Sequence, residues 1–266
     1  MTYLLVASPR DRTAEMETTI NESDPTLRIS VVIPTFQRAG ALQACLLALS
    51  VGFPADAEVI VVSDGGDKAS FPDLSRFEKH LNLVVIHAEH GGAGHARNQG
   101  LQRVQAPIVV FTDDDCLPQA GWLEAIAAQV SLDPPRAAGG KTISHPADNV
   151  YATAAQLVLD LMERDQRQKN YEPVFFPSNN IAFPTEALKQ IGGFDAGFRT
   201  AEDREVCRRW LQAGCQLGKA PDSVLLHVTP LNFAGYWHKL FAYGEGAAQF
   251  RAASGAGWVI ETRGYH

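Results

Sequence analysis

Four apolar, β-branched runs constrain the fold of this chain more than any other feature: RISVVIPT (28–35), AEVIVVSDGG (57–66), LNLVVIHA (81–88) and APIVVF (106–111). The first is continuous, which suits a strand buried on both faces, and the other three read as further buried strands. Between and after them lie segments of good helix formers. These are AGALQACLLALS (39–50), the Gly-rich turn and helix GGAGHARNQGLQRV (91–104), and PQAGWLEAIAAQV (118–130). Strands alternating with helices at this spacing predict βαβ units and an α/β fold, a mainly parallel central sheet flanked by helices.

In such sheets ligands bind beyond the carboxyl ends of the strands. Polar residues cluster there: Thr35 after the first strand, Ser63 and Asp64 after the second, and Asp113, Asp114 and Asp115 after the fourth. The second half is less regular. Residues 149–168 carry apolar side chains at three- and four-residue spacing and predict a helix. FFPSNNIAFPTEALKQIGGFD (175–195) reads as short strand and helix pieces broken by Pro and Gly. AEDREVCRRWLQAG (201–214) reads as a helix with acidic residues in its first turn and Gly214 at its end. In NFAGYWHKLFAYGEGAAQFR (232–251), Phe233, Tyr236, Trp237, Leu240 and Phe241 share one helical stripe. That stripe suits a helix docked on the domain; the alternative is an aromatic surface at a membrane interface or on an acceptor site.

A formal net charge of −7 argues against nucleic acid held on a broad basic surface. No stretch approaches the roughly 18 uninterrupted apolar residues of a membrane span, and MTYLLVASPR has no basic region before its apolar run, so it makes a poor signal peptide. Cys45, Cys116, Cys207 and Cys215 form no CxxC pair and read as reduced thiols of a cytoplasmic protein, Cys116 as a packing residue. The expected location is cytoplasmic, with at most peripheral contact at the inner face of a membrane.

The stretch FTDDDCLP (111–118) crowds three carboxylates onto one turn, where mutual repulsion opposes folding. Either the turn is a solvated acidic loop, or positive charge belongs there. Hard oxygen ligands in this pattern suit Mg²⁺ or Mn²⁺ shared with a substrate diphosphate. In an extended turn Asp113 and Asp115 point one way and Asp114 the other. GGAGHARNQG lacks both GxGxxG spacing and a Walker lysine, so it fits neither a Rossmann nor a P-loop site. Its His95 and Arg97 either face a phosphate near a helix N-terminus or belong to a Gly-rich cap with an exposed arginine. Glu202 and Asp203 open a helix, where carboxylates are electrostatically favoured; one of them as a general base is the functional alternative.

These segments, VVIPTFQR, VVSDGG, GGAGHARNQG, FTDDDCLP, SNNIAFPTEALKQIGGFD and AEDREVCRRW, in this order, resemble the family 2 inverting glycosyltransferases of the GT-A fold. The match runs from about residue 29 to about residue 228. Residues 1–27 mix charge, Thr and Pro without period and read as a weakly ordered leader, followed by a GT-A catalytic domain over 28–230, as the match implies, and a C-terminal helical extension over 231–266 packed on the domain or lining the acceptor side. The match also implies a nucleotide-diphosphate sugar donor, UDP-sugars being favoured. The acceptor would be a saccharide, lipid-linked or small-molecule hydroxyl. Thr35 and Asp64 would contact the nucleoside and Arg97 the nucleotide end of the donor. Asp113, Asp114 and Asp115 would form the DxD-type motif: Asp115 as metal ligand, Asp113 as ligand or, like Asp114, reaching sugar or ribose. Asn180 would line the donor-sugar and acceptor side. Asp203 would be the catalytic base, with Glu202 an orienting or acceptor-binding neighbour. His227 falls where some relatives place a further metal ligand; a satisfied polar residue is the alternative. One departure is Ser63-Asp64-Gly65-Gly66 where the family usually has DDGS, which removes one nucleotide contact.

Two other readings share these residues. A nucleotidyltransferase also needs paired carboxylates and a metal, but typically carries a Gly-rich basic loop after the first strand, where this chain has PTFQRAG. A non-catalytic binding module derived from a transferase is the other, against which the intact Asp triplet and Glu-Asp pair speak.

Overall fold

The computed structural model describes residues 28–66, 71–145, 148–168 and 175–254; the expected leader and the last twelve residues lie outside them. Sixteen helices and strands follow in chain order: β1 (Ile29–Thr35), α1 (Ala39–Leu49), β2 (Ala57–Asp64), β3 (Asn82–Ala88), α2 (Ala93–Arg103), β4 (Ile108–Phe111), β5 (Cys116–Pro118), α3 (Trp122–Ala127), β6 (Ser131–Leu132), β7 (Pro135–His145), α4 (Val150–Gln168), β8 (Ile181–Pro184), α5 (Thr185–Gln190), α6 (Glu202–Gln212), β9 (Gln216–Val228) and α7 (Phe233–Ser254).

All nine strands join one sheet in the order β3-β2-β1-β4-β8-β7-β9-β5, with β6 beside β7. β1 and β2 are buried along their whole length, as continuous apolar runs require. Alternate residues serve two cores. Val31, Ile33, Val59 and Val61 pack against α1 and α3 through Leu42, Leu46, Trp122 and Ile126. Val32, Ile60 and Val62 pack on the opposite side with Ala96 and Leu101 of α2 and Trp210 of α6. Each such aliphatic side chain contributes about 1.5–3 kcal/mol through burial. α2 lies close to the sheet because Gly100 has no side chain: a Cβ there would meet Val32 Cγ1 at 2.4 Å.

The expected parallel order holds for β3-β2-β1-β4. Beyond β4 the sheet is mixed. β8 starts at the edge where β4 ends, so it pairs antiparallel with β4 and with β7. β9 runs parallel to β7, and its end pairs antiparallel with β5. LNLVVIHA forms its strand but occupies the sheet edge, so β3 is only half covered. The aromatic stripe lies on α7, which packs against α4 and leaves Phe233, Trp237 and Phe241 exposed.

Candidate active site

The chain's polar groups converge on one edge because parallel strands end there together and β8 begins there. A cavity of about 1130 Å³ opens over that edge. Its wall includes Thr35, Asp64, Arg97, Asp113, Glu202, Asp203 and His227, so seven of the ten anticipated site residues share it. Two clamps bring the start of α6 to this place. Asn98 of α2 exchanges two hydrogen bonds with the backbone of Phe194, at 2.7 and 2.9 Å. Arg209 holds Glu205 of α6 at 2.6–2.7 Å and also donates to the carbonyls of Ile191 and Gly193.

The positive charge that the Asp triplet demands is supplied by the protein. Asp113 Oδ1 accepts from Arg97 Nη2 at 2.7 Å, and Arg97 Nη1 donates to Glu202 Oε1 at 3.0 Å. Arg97 is only 2% exposed, so it is a built-in tie between the triplet and the Glu-Asp pair, not an exposed cap residue. Burial disfavours its charge, but Asp113 and Glu202 outweigh that and raise its pKa. Asp114 is fully buried; its Oδ2 accepts from Thr35 Oγ1 at 2.6 Å and from Arg38 Nε at 3.2 Å, and its Oδ1 meets Arg38 Nη2. Burial nevertheless pushes the Asp114 carboxyl up to about 6. Asp115 Oδ2 accepts from Arg38 Nη1 at 2.8 Å, and its Oδ1 lies 3.4 Å from His227 Nε2. Burial pushes Asp115 up, but His227 and Arg38 overcome it and hold the carboxyl at about 2. The alternation read from the turn appears as exposure: 25% for Asp113, none for Asp114 and 14% for Asp115.

Other anticipated residues are engaged differently from the sequence reading. The Asp64 carboxylate accepts from the backbone N–H groups of Gly91 and Gly92 at 2.8 and 2.9 Å, and so shapes the turn that opens α2. Gly92 has φ +87°, a conformation that favours glycine. Thr35 spends its hydroxyl on Asp114. Asn180 is fully buried beneath Gly140, its Oδ1 accepting from Trp122 Nε1 at 2.9 Å. Ser178 and Asn179, from the same segment, line the cavity in its place. His95 is not on the cavity wall.

Asp203 is the most perturbed carboxylate of the site. Burial first, and the adjacent charge of Glu202 second, push it up to about 7. Its Oδ1 accepts from the N–H of Arg204 at 2.7 Å. Ala201, which immediately precedes the Glu202–Asp203 pair, has φ +70°, a left-handed backbone that L side chains rarely adopt. Ser178 Oγ donates to Glu202 Oε1 at 3.4 Å, a second restraint on that carboxylate.

Sequence reasoning missed Arg38, Lys239 and Tyr243. Arg38 could have been found as a cationic side chain three residues beyond the end of β1; the two α7 residues carry no local signal, because only the path of α7 brings them to the cavity. Burial lowers the Lys239 pKa and pushes Tyr243 up to about 12.

Among the described residues, Asp115, Cys116 and His227 form the group whose donor atoms lie within 4.8 Å of one another. Asp113, anticipated as a ligand, is instead paired with Arg97. Cys116 is fully buried, and burial holds its thiol well above the ordinary range, in line with its packing role. Asp115 Oδ1 and His227 Nε2, 3.4 Å apart, have the chemistry and spacing of two ligands to one divalent ion. β5 pairs Cys116 directly with His227, which is how residues so distant in sequence meet.

Residues 25–245 match the model of the glycosyltransferase-like family 2. The chain is 29% identical over 227 residues to pre-mycofactocin glycosyltransferase of Mycobacterium tuberculosis, covering 83% of this chain but 47% of that protein, about half its length. It is 25% identical over 226 residues to glycosyltransferase AglE of Haloferax volcanii, covering 83% and 73%. Among solved structures, a mannosyltransferase of Pyrobaculum calidifontis in complex with GDP-Man and Mn²⁺ superposes with a TM-score of 0.64 at 21% identity, over 85% of this chain and 64% of that one. S. aureus TarS 1–349 in complex with UDP-GlcNAc gives 0.61 at 20% identity, over 77% and 60%. The fold is GT-A, and the chain belongs to the glycosyltransferase-like family 2.

Proposed function

We propose that this chain transfers a sugar from a nucleotide-diphosphate sugar to an acceptor hydroxyl, with inversion at the anomeric carbon. The observation that carries the reading is Asp203. It is a carboxylate on the cavity wall with its pKa raised to about 7, beside a Glu202 that Arg97 pins to the Asp triplet. A general base works best with a pKa near the operating pH. Asp203 takes the proton from the acceptor hydroxyl; the freed oxygen forms a bond to the anomeric carbon. The carbon–oxygen bond to the diphosphate breaks, and the diphosphate leaves with the electron pair.

The donor lies along the carboxyl ends of β1, β2 and β4, with Asp64 and Thr35 toward the nucleoside and Asp113 toward the sugar. Neighbours of the same fold bind GDP-Man or UDP-GlcNAc, which supports a nucleotide-sugar donor; a UDP-sugar is our preferred reading. Asp115 and His227 would hold Mg²⁺ or Mn²⁺, which supplies charge neutralisation on the departing diphosphate. Lys239 and Tyr243, which bring α7 to the cavity wall, support an acceptor bound beside α7, a saccharide, lipid-linked or small-molecule hydroxyl. Among the described residues no helix is long and apolar enough to cross a membrane. The exposed Phe233, Trp237 and Phe241 would support peripheral contact at most.

The test is thermal melting with UDP, GDP, dTDP and CMP, each with and without Mn²⁺. A ligand at 100 times its Kd stabilises the native state by about 2.7 kcal/mol. One diphosphate raising the melting temperature, more strongly with Mn²⁺, supports the donor site. No shift with any of them, in a folded sample, refutes it and leaves the binding-module reading.

A further inference from the structure

The two guanidiniums that neutralise the Asp triplet differ in one respect. Arg97 is 2% exposed and packed over the Phe194 ring, so it is part of the core. Arg38 is 51% exposed, lines the cavity, and sits in the connection between β1 and α1. It nevertheless makes the densest set of charge contacts in the site: Nε and Nη2 on Asp114 and Nη1 on Asp115. Gln37, just before it, has φ +53°, and α1 has no side-chain cap, so the local backbone is strained in the conformation that turns Arg38 onto the triplet.

We infer that Arg38 is an exchangeable resident cation, a positioning residue that competes with the divalent ion for Asp115 and moves to the donor diphosphate when the donor arrives. The inference rests on the donor-site reading above. A divalent ion bound through Asp115 Oδ1 and His227 would sit next to a guanidinium already on Asp115 Oδ2, and like charges at that separation repel. Metal alone is therefore held weakly. A diphosphate offers Arg38 a bidentate anionic partner outside the triplet, and cavity exposure leaves the side chain free to reach it. Once Arg38 moves, Asp115 is released to the metal. Metal and nucleotide then bind cooperatively, and linkage requires the coupling to be the same from either side. Asp114 keeps its hydrogen bond from the Thr35 hydroxyl throughout.

The experiment is calorimetric titration of the full chain with Mn²⁺, alone and with saturating UDP or GDP, comparing wild type with Arg38→Gln and Arg38→Lys. Mn²⁺–nucleotide complexation in buffer is measured separately. The expected result is that nucleotide tightens Mn²⁺ binding to wild type at least tenfold. Arg38→Gln binds Mn²⁺ alone at least tenfold more tightly than wild type does, and its coupling factor falls toward one. Arg38→Lys keeps the charge but loses the planar fork, so it falls between the two and still reports if Arg38→Gln fails to fold. Melting curves give an independent readout: Mn²⁺ without nucleotide stabilises Arg38→Gln more than wild type. If Mn²⁺ with nucleotide binds both proteins but Arg38→Gln shows no gain for Mn²⁺ alone, the Arg38 inference falls and the donor site stands. If neither protein binds Mn²⁺ under any condition, the Arg38 inference falls with the metal site; if neither binds nucleotide, the donor site falls as well.

Discussion

Replacing Asp203 with Asn should abolish transfer and, at pH 8, make the protein more stable. The native carboxyl titrates near 7 where an ordinary aspartate titrates near 3.8, so the native state binds its proton more tightly than the unfolded chain does. By linkage, stability then falls as pH rises through the window between those two values and the full penalty applies above it. A difference of about three pKa units corresponds to a ceiling of about 4 kcal/mol at 1.36 kcal/mol per unit. Asn keeps the shape and can still accept the hydrogen bond from the Arg204 N–H, so little packing is lost. At about 2–4 °C per kcal/mol for a chain of this size, the variant should melt several degrees above wild type at pH 8. The advantage should shrink steadily below pH 7 and vanish near pH 4. Scanning calorimetry of both proteins at pH 8, 6.5, 5 and 4, with transfer measured in parallel, provides the check. A variant less stable than wild type at pH 8, or a difference that does not change with pH, would refute the assignment of strain to this carboxylate.

Three further outcomes follow from the same geometry. Because the base works deprotonated, kcat/KM should fall about tenfold per pH unit below an apparent pKa near 7, and a flat profile between pH 5.5 and 7.5 would exclude Asp203 as base. Arg97→Met should lower stability by about 3 kcal/mol at pH 8, since it strands the paired carboxylates of Asp113 and Glu202; the loss should lessen in acid as those groups protonate, which urea titration at two pH values would reveal. Gly100→Ala should cost about 1–3 kcal/mol, because its Cβ would press on Val32 between α2 and β1; unchanged urea midpoints would show that the helix can retreat without penalty.

How far the sequence revealed this arrangement depended on how local each signal was. β1, β2 and β4 were legible because burial on both faces leaves a continuous apolar run, and the polar residues at their ends marked the edge where the cavity opens. Of the helices, α1 was legible from its good helix formers, α2 from the Gly-rich turn that opens it, α4 from apolar spacing and α6 from its end signals. The direction of β8 and β9 was not, since no residue pattern distinguishes a parallel from an antiparallel neighbour when the connection is irregular. Asn180 was misplaced for a related reason. SNN offers three adjacent polar side chains, and only the tertiary position of Trp122 decides that the second asparagine turns inward. Arg38 stood in plain view but carried no periodicity or spacing to say that it folds back over the Asp turn.

The strained backbone supplies the remaining step. Among the described residues, the non-glycine residues with positive φ are Gln37 and Ala201. They lie far apart in sequence, yet one immediately precedes Arg38 and the other immediately precedes Glu202 and Asp203. Such conformations cost of order 1–3 kcal/mol each and persist only where surrounding contacts impose them. At Ala201 the restraint comes from Arg97, which holds Glu202, and from the Arg209 and Asn98 clamps that fix α6 and the segment before it. At Gln37 it comes from the Arg38 contacts with Asp114 and Asp115. The two strained points therefore meet at the same triplet: Asp113 reaches one through Arg97, and Asp114 and Asp115 reach the other through Arg38. The three crowded carboxylates hold a cationic loop on one side and, through Arg97, the proposed base pair on the other. A cation that engages the triplet therefore acts on both sides of the cavity at once.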